Sequence, residues 1–404
     1  MSSFKNSETR PPIMTGAPPP SEWRPPREAW DRPPWNRWSF HHIREVLPTT
    51  EVRSGDGPVR PLAEDLRDLD GLSYVAADGE SRTVAQMLDD TYTDGFAVLH
   101  RGRLVFERYF GTMTPRSPHL SQSVAKSVTA AAGAVLIDRG LLDPDAPLSE
   151  ILPELAPTAY GDATLRHLFD MASGVRFDET YAASDSDMAM LDVAAGWKDP
   201  PETSEGWPRA VWDQILTLTE KEAEHGSRFL YRSIETDVIA HAMERAAGKR
   251  LAEIVSETLW SRLGVEENAY FTVDRAGYAL ADGGFNATLR DYARFGQAML
   301  EGGCVDGAQV IPAAFVDDTM RGARRPFNDD SRVSLPNGAY RNQFWIEDAE
   351  RETILARGVF GQLIFIAPEL DLVAVKLSSW PDFLNPAFDI ATRAAIRAIG
   401  EALA

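Results

Sequence analysis

Ser123 and Lys126 put a hydroxyl and an amine three residues apart at the head of the segment SQSVAKSVTAAAGA. At positions i and i+3 of a helix such side chains share one face, about a turn apart. A serine hydroxyl is inert until a neighbouring base takes its proton, and a lysine can be that base if burial lowers its pKa. Lys126 is the only formal charge between Arg116 and Asp138. Backbone N–H groups of a first helical turn add a positive field that favours a developing oxyanion beside the serine. The same spacing recurs at Ser2-Ser3-Phe4-Lys5, so spacing alone does not separate a nucleophile from a surface lysine on an amphipathic helix. Context does: only Ser123 follows a hairpin pattern and opens an uncharged, small-residue helix.

Acyl transfer also needs a group that hands a proton to the departing atom, and two tyrosines stand two residues before a polar side chain. Tyr231-Arg232-Ser233 precedes a helical run with Ser233 as its expected N-cap, and Tyr340-Arg341-Asn342 adjoins a strand. Either can equally be an ordinary core tyrosine. In Gly358-Val359-Phe360-Gly361-Gln362 the glycines allow a backbone N–H close to a substrate, which makes the Val359 N–H a candidate oxyanion donor; a plain β-turn is the alternative. The seven histidines show no paired helical ligand spacing, and Cys304 is the only cysteine. No metal site, cofactor or internal disulfide is expected.

The elements that must hold these groups follow from periodicity. Phe96 to Phe110 reads as a hairpin about His100-Arg101-Gly102, and Ser121 to Arg139 as a helix stopped by Gly140. Helical patterning dominates from Leu141 to about Gly264, in ATLRHLFDMAS, AVWDQILTLTEKEAEHG and TDVIAHAMERAAGKRLAEIVSETLWSRLG. LRDYARFGQAMLEGG adds a helix, YRNQFWIE, GQLIFIAP and DLVAVKLSSW read as strands, and FDIATRAAIRAIGEAL as a closing helix. Strands early, helices in the middle, and strands with a helix late predict an α/β domain split over 39–140 and 275–404, with an all-α insertion over 141–274. Residues 1–38 are proline-rich yet carry Trp23, Trp30, Trp35 and Trp38. They predict an arm packed across the body, with its first dozen residues disordered.

With 61 acidic against 41 basic residues in 404, the net charge is -20, and no sustained basic run exists to displace counterions from a nucleic acid. The opening MSSFKNSETRPP has no apolar core, and no run approaches a membrane span. The expectation is a cytoplasmic protein with no membrane or nucleic-acid partner, acting on a small molecule. Oligomeric state stays open, since the tryptophan-rich arm can reach a neighbouring subunit to make a homodimer.

In order and content these pieces resemble the serine β-lactamase and penicillin-recognising superfamily: S-x-x-K at Ser123, a Y-x-S about a hundred residues on, and a glycine motif near the C-terminus. LRHLFDMASGV, GSRFLYRSIETDVIA, ADGGFNATLRDYARFGQAML and GVFGQLIFIAPELDLVAVKLSSWP are similar to phrases of its class C and esterase branch. NRWSFHHIREVLPT, TYTDGF and KLSSWP resemble the 6-aminohexanoate-dimer hydrolases, the nylon-oligomer enzymes. The likeness runs from about Asn36 to the C-terminus.

The resemblance implies a β-lactamase-like fold, an antiparallel sheet flanked by helices with a helical insertion. It implies Ser123 as nucleophile, Lys126 as general base and Tyr231 rather than Tyr340 as proton relay, with an oxyanion hole from the Ser123 and Val359 N–H groups. Tyr181 and Asp192 fall where the nylon-oligomer enzymes close a tyrosine and an aspartate on the substrate. A carboxylate there can hold the protonated amino end of an aminoacyl chain, and Trp197 can wall its methylenes. Two departures stand out. Ala356-Arg357-Gly358 replaces the K-T-G of penicillin-recognising members, and Asp282 stands where a neutral or imidazole side chain is expected, either disturbing Lys126 and Tyr231 or binding a cationic substrate end. The implied activity is hydrolysis of short linear amides such as the 6-aminohexanoate dimer. A carboxylesterase of the same fold, or a binding protein without turnover, are the alternatives.

Overall fold

A computed structural model describes residues 4–327 and 331–404. Its centre is a nine-stranded sheet whose spatial order runs Arg325–Pro326, Ala339–Arg341, Phe344–Ile346, Ile354–Gly358, Gln362–Ala367, Leu372–Ser378, Thr93–His100, Arg103–Tyr109 and Ala63–Glu64. All neighbours pair antiparallel except the last two, which pair parallel at one edge. The expected hairpin is Thr93–His100 with Arg103–Tyr109, closed by Arg101 and Gly102 at φ 51° and 70°. Two positive φ values in a two-residue loop match the twist of the strands it joins.

Thr93–His100 and Leu372–Ser378 are buried along their whole length, because helices cover both faces of the sheet. Ala97, Leu99, Ile364, Ile366, Val373 and Val375 belong to the core on one face; Phe96, Val98, Phe365, Leu372 and Ala374 belong to the other. That alternation is the period-two rule of a strand. The helix Leu289–Leu300 lies on the first face, close enough that a Cβ at Gly296 would come within 2.6 Å of Val373. The closing helix Pro386–Leu403 covers the second with Ala395, Ile396 and Ile399.

A second, four-stranded antiparallel sheet joins Thr49–Val52, Ala269–Thr272, Phe285–Thr288 and Pro118–Leu120 in that order. Its last strand leads straight into Ser123. Sequence patterning did not foresee this sheet: its strands have three or four residues, too few to show a period. Beyond Ser123, the helix Val124–Asp138 packs against Ile234–Ala247 and Leu251–Thr258, so the Ser123 segment bridges sheet and helices.

Several elements are shorter than their patterns. ATLRHLFDMAS is helical only over Leu165–Phe169, and AVWDQILTLTEKEAEHG only over Val211–Thr217. Beyond Thr217 the chain leaves the helix, and Glu222 N–H donates to Gly174 O. YRNQFWIE is not one strand but a hairpin turned at Asn342 and Gln343, both with positive φ. The strain is held by side chains: Asn342 bonds Asp318 and Thr319, and Gln343 bonds Leu168 O and Thr236.

The arm lies on the body, with Trp30 and Trp35 buried. Trp30 Nε1 donates to Trp197 O at 2.9 Å, Asn36 Nδ2 to Trp380 O at 2.9 Å, and Arg37 pairs with buried Asp94 at 2.8 Å. The expected disorder of its first dozen residues is not met from Phe4 on; residues 1–3 lie outside the described residues. Lys5 pairs with Asp90, Asn6 Nδ2 donates to Thr93 O at 2.8 Å, and Ser7 bonds Asp89. Buried Trp30 and Trp35 spend the arm's apolar surface on its own chain. Among the described residues no helix is long and apolar enough to cross a membrane.

Candidate active site

Ser121 N–H donates to Phe285 O, fixing the chain end-on to the second sheet, and Gln122 then takes a φ of 50° before the helix begins. This kink carries half-buried Ser123 to the helix entrance. From one turn along, Lys126 Nζ reaches Ser123 Oγ at 2.9 Å. The same nitrogen donates to Asp282 O at 2.6 Å and lies 3.7 Å from Asp282 Oδ2 and 5.3 Å from the centre of the Tyr231 ring. The Tyr231 hydroxyl interacts with both the Ser123 hydroxyl and the Lys126 amine, which act to lower its pKa against the upward push of burial. Serine, lysine and tyrosine therefore meet. Tyr340 does not join them; it is buried in an aromatic cluster with Phe229, Tyr231 and Trp345.

The charge state of Lys126 differs from expectation. Burial pushes its pKa down as foreseen, but Tyr231, Asp282, Glu179 and Asp237 together push harder the other way, and the net direction is up. An apolar helix sequence hides these acids because three other segments deliver them. Lys126 is thus a resting ammonium that donates to Ser123, and becomes a base only on losing its proton.

Gly358 ends its strand against the Ser123 segment: a Cβ there would sit 2.5 Å from Ser121 O and 3.0 Å from Ser123 N. Only glycine lets the two backbones approach so closely. Val359 follows, and the turn is completed by Phe360 and Gly361 at φ 60° and 88°. Buried Gln362 clamps this turn, its Nε2 donating to Ser378 O at 2.6 Å and more weakly to Val359 O and Phe360 O.

Ser123, Tyr181 and Val359 stand where two cavities meet. One is a chamber of about 350 Å³ walled by Tyr231, Trp345, Leu363, Trp380 and Phe383. Tyr231 stacks on Trp345 at 5.3 Å, and Tyr181 leans on Phe383 at 5.4 Å. Arg357 also lines the chamber, with its charge matched by Asp389 at 3.0 Å and its guanidinium over Trp345. The other is a slot of about 30 Å³ lined by Asp192, Trp197, Asp282, Met188 and Leu191. Burial and Asp31 push the Asp192 carboxyl up to about 7, opposed by Lys198. Trp197 is both wall and core, its Nε1 bonded to Thr272 Oγ1 at 3.0 Å.

Sequence reasoning missed Glu179 and Asp237. Glu179 accepts from Tyr181 Oη at 2.8 Å and from Ser233 N–H at 2.8 Å and hydroxyl at 2.5 Å. Ser233, the expected N-cap, makes no capping bond with its own side chain, because its hydroxyl is taken by Glu179. Asp237 Oδ1 accepts from Ala281 N–H at 2.8 Å and Asp282 N–H at 3.4 Å, fixing the carbonyl that grips Lys126. Asp237 Oδ2 and Asp282 Oδ1 are buried without partners. Burial and mutual repulsion raise the Asp237 pKa well above a normal carboxyl, and burial raises that of Asp282 against the pull of Lys126. A lone acid in the apolar run TDVIAHAM was the available signal for Asp237.

The β-lactamase family model matches residues 81–398. A curated 6-aminohexanoate-dimer hydrolase of Paenarthrobacter ureafaciens is 36% identical over 89% of this chain and 89% of its own. A solved Bacillus anthracis structure, provisionally described as a 6-aminohexanoate-dimer hydrolase, superposes with TM-score 0.85 at 30% identity, covering 95% of this chain and 98% of the other. A family VIII carboxylesterase shares the fold at TM-score 0.57 and 17% identity, over 78% and 95% of the two chains. On these matches the chain is a hydrolase and belongs to the β-lactamase family, beside the 6-aminohexanoate-dimer hydrolases.

Proposed function

We propose that the protein hydrolyses short linear amides, such as the 6-aminohexanoate dimer, through an acyl-enzyme on Ser123. The observation that carries this reading is the 2.9 Å contact between Lys126 Nζ and Ser123 Oγ at the junction of two cavities, a large aromatic-walled chamber and a small slot that carries Asp192 and Asp282. Once Lys126 has released its proton, it accepts the one on Ser123 as Oγ bonds to the amide carbon. The carbonyl electron pair moves to oxygen, held by the Ser123 and Val359 N–H groups. On collapse the C–N bond breaks, and Tyr231 gives the departing amine a proton that it recovers from Lys126. Water repeats the path and frees the acid. Tyr231 lines the large chamber, so the leaving arm lies there, and the acyl arm points to the slot, where Asp192 holds its ammonium end and Trp197 its methylenes. Tyr181 stands over both arms.

An ester reading is favoured by one feature: the chamber's aromatic walls accept an apolar alcohol as readily as an amine. A small-molecule amide or ester is the partner either way, and the cytoplasm is the compartment assumed. Ser123→Ala should abolish turnover and fluorophosphonate labelling; labelling elsewhere would reject the nucleophile. Asp192→Ala should raise KM or lower kcat far more for the linear dimer than for an uncharged p-nitrophenyl ester, and equal losses would reject its role.

A further inference from the structure

We propose that a cationic acyl arm acts as an activator as well as a substrate: its ammonium, docked in the slot against Asp192 and Asp282, frees Lys126 to act as base. The inference rests on the reading above and goes beyond it by joining recognition to the charge of the catalytic lysine. Asp282 is the shared group. One carboxylate oxygen, Oδ2, lies 3.7 Å from Lys126 Nζ, while the other, Oδ1, is buried without a partner in a residue that lines the slot. Asp192 lines the same slot, and among the described residues none bonds its carboxylate. A volume of about 30 Å³ suits a small polar head rather than a ring.

Physically, Lys126 keeps its proton because Tyr231, Asp282, Glu179 and Asp237 surround it. Asp192 in turn faces Asp31, Lys198, Asp282 and Arg32. A second positive charge in the slot spends the field of Asp282 on itself and repels the ammonium of Lys126, so a proton leaves Lys126 for solvent. The deprotonated amine is then 2.9 Å from the hydroxyl it must activate. A neutral acyl arm leaves the acids unopposed and Lys126 charged. The site thereby favours amines at the acyl end in kcat, and not only in binding.

The test uses Ser123→Ala, which binds without turning over, titrated near pH 9 in two buffers of different ionisation enthalpy. At that pH Asp192 is already ionised. N-butyl-6-aminohexanamide should release roughly half a proton or more per site, and N-butylhexanamide none. Adding Lys126→Met should remove the release. A second measurement needs no variant: in the wild type, the acidic limb of kcat should lie at lower pH for the amino amide than for the neutral one, while the limbs of kcat/KM coincide above about pH 8, where Asp192 is ionised, because only kcat reports the complex. Equal proton release by both amides, none by the cation, or coincident kcat limbs would overturn the proposal. If neither amide binds while Ser123 still takes the fluorophosphonate, the substrate class is wrong and the inference falls with it, whereas an unlabelled Ser123 points to failure of the hydrolase reading itself.

Discussion

Lys126 and Lys376 are both sealed from solvent, both on apolar segments, and they end in opposite states. Lys376 sits in the central strand Leu372–Ser378, bonded to Thr91 O at 3.2 Å and to the Ser378 hydroxyl, with its nitrogen 5.6 Å from the centre of the Trp380 ring. Among the described residues no carboxylate forms an ion pair with it; Asp94, the nearest pull, is spent on Arg37, His119 and Ser379. Burial carries Lys376 down to about 7, with Asp94 resisting and Arg37 assisting. Lys126 loses as much water yet is pushed up by its acids. Desolvation is common to both, so the acidic neighbours, Tyr231 and the three carboxyls, decide, and they make Lys126 the lysine whose proton can be moved by a change of charge nearby.

The widest separation of the two lies in catalysis. Lys126→Met should lower kcat/KM for a p-nitrophenyl ester by about 10³-fold or more, the scale of lost general-base catalysis. Lys376→Met should change it by less than about fivefold, because Lys376 does not bond Ser123 and stands behind the Trp380 wall rather than lining either cavity. Comparable losses in the two variants would mean that the depressed lysine, not the one beside the serine, governs the chemistry.

A smaller effect sharpens the comparison by making Lys126 more like Lys376. Asp282→Asn removes a negative charge 3.7 Å from Nζ while leaving the backbone carbonyl that Nζ binds. The ammonium loses support, its pKa falls, and the neutral base is present at lower pH. The acidic limb of kcat/KM should move down in pH, so that activity at pH 7 becomes a several-fold larger fraction of its plateau. An unmoved limb would show that Asp282 does not hold the proton on Lys126.

The same pair explains what was legible in the sequence. Ser123, Lys126 and the helix that aligns them were readable because they are neighbours in sequence, where i, i+3 geometry applies directly. The long strands and the hairpin at Arg101-Gly102 were readable because runs of six to eight residues show their period and their turn. The charge on Lys126 was not readable. Glu179, Asp237 and Asp282 arrive from a loop, a helix and a turn, and no local pattern says that they converge. The argument that an apolar run neutralises a lysine describes Lys376 correctly and Lys126 incorrectly, since it counts only neighbours along the chain. Short buried strands such as Ala269–Thr272, and turns held by distant side chains such as Asn342-Gln343, escaped for the same reason.

The finest expected difference is in stability against pH. An unfolded lysine titrates near its ordinary value of 10.5, whereas Lys376 in the folded chain gives up its proton at about 7. Between those values the unfolded state binds a proton that the native state does not, so this group's penalty is fully present below pH 7 and is relieved as pH rises toward 10.5. Lys126 has the opposite sign: its folded pKa is raised, so its contribution is intact throughout that window and is lost only above it. Urea unfolding of wild type and Lys376→Met at pH 7, 8, 9 and 10 isolates the term, because the other titrating groups, Asp192 and Glu235 included, are common to both proteins. Wild type should gain on the variant by up to about 1.4 kcal/mol per pH unit. A gap that stays constant across the series would mean that Lys376 is charged in the folded chain, and the two lysines would then differ in their neighbours but not in their charge.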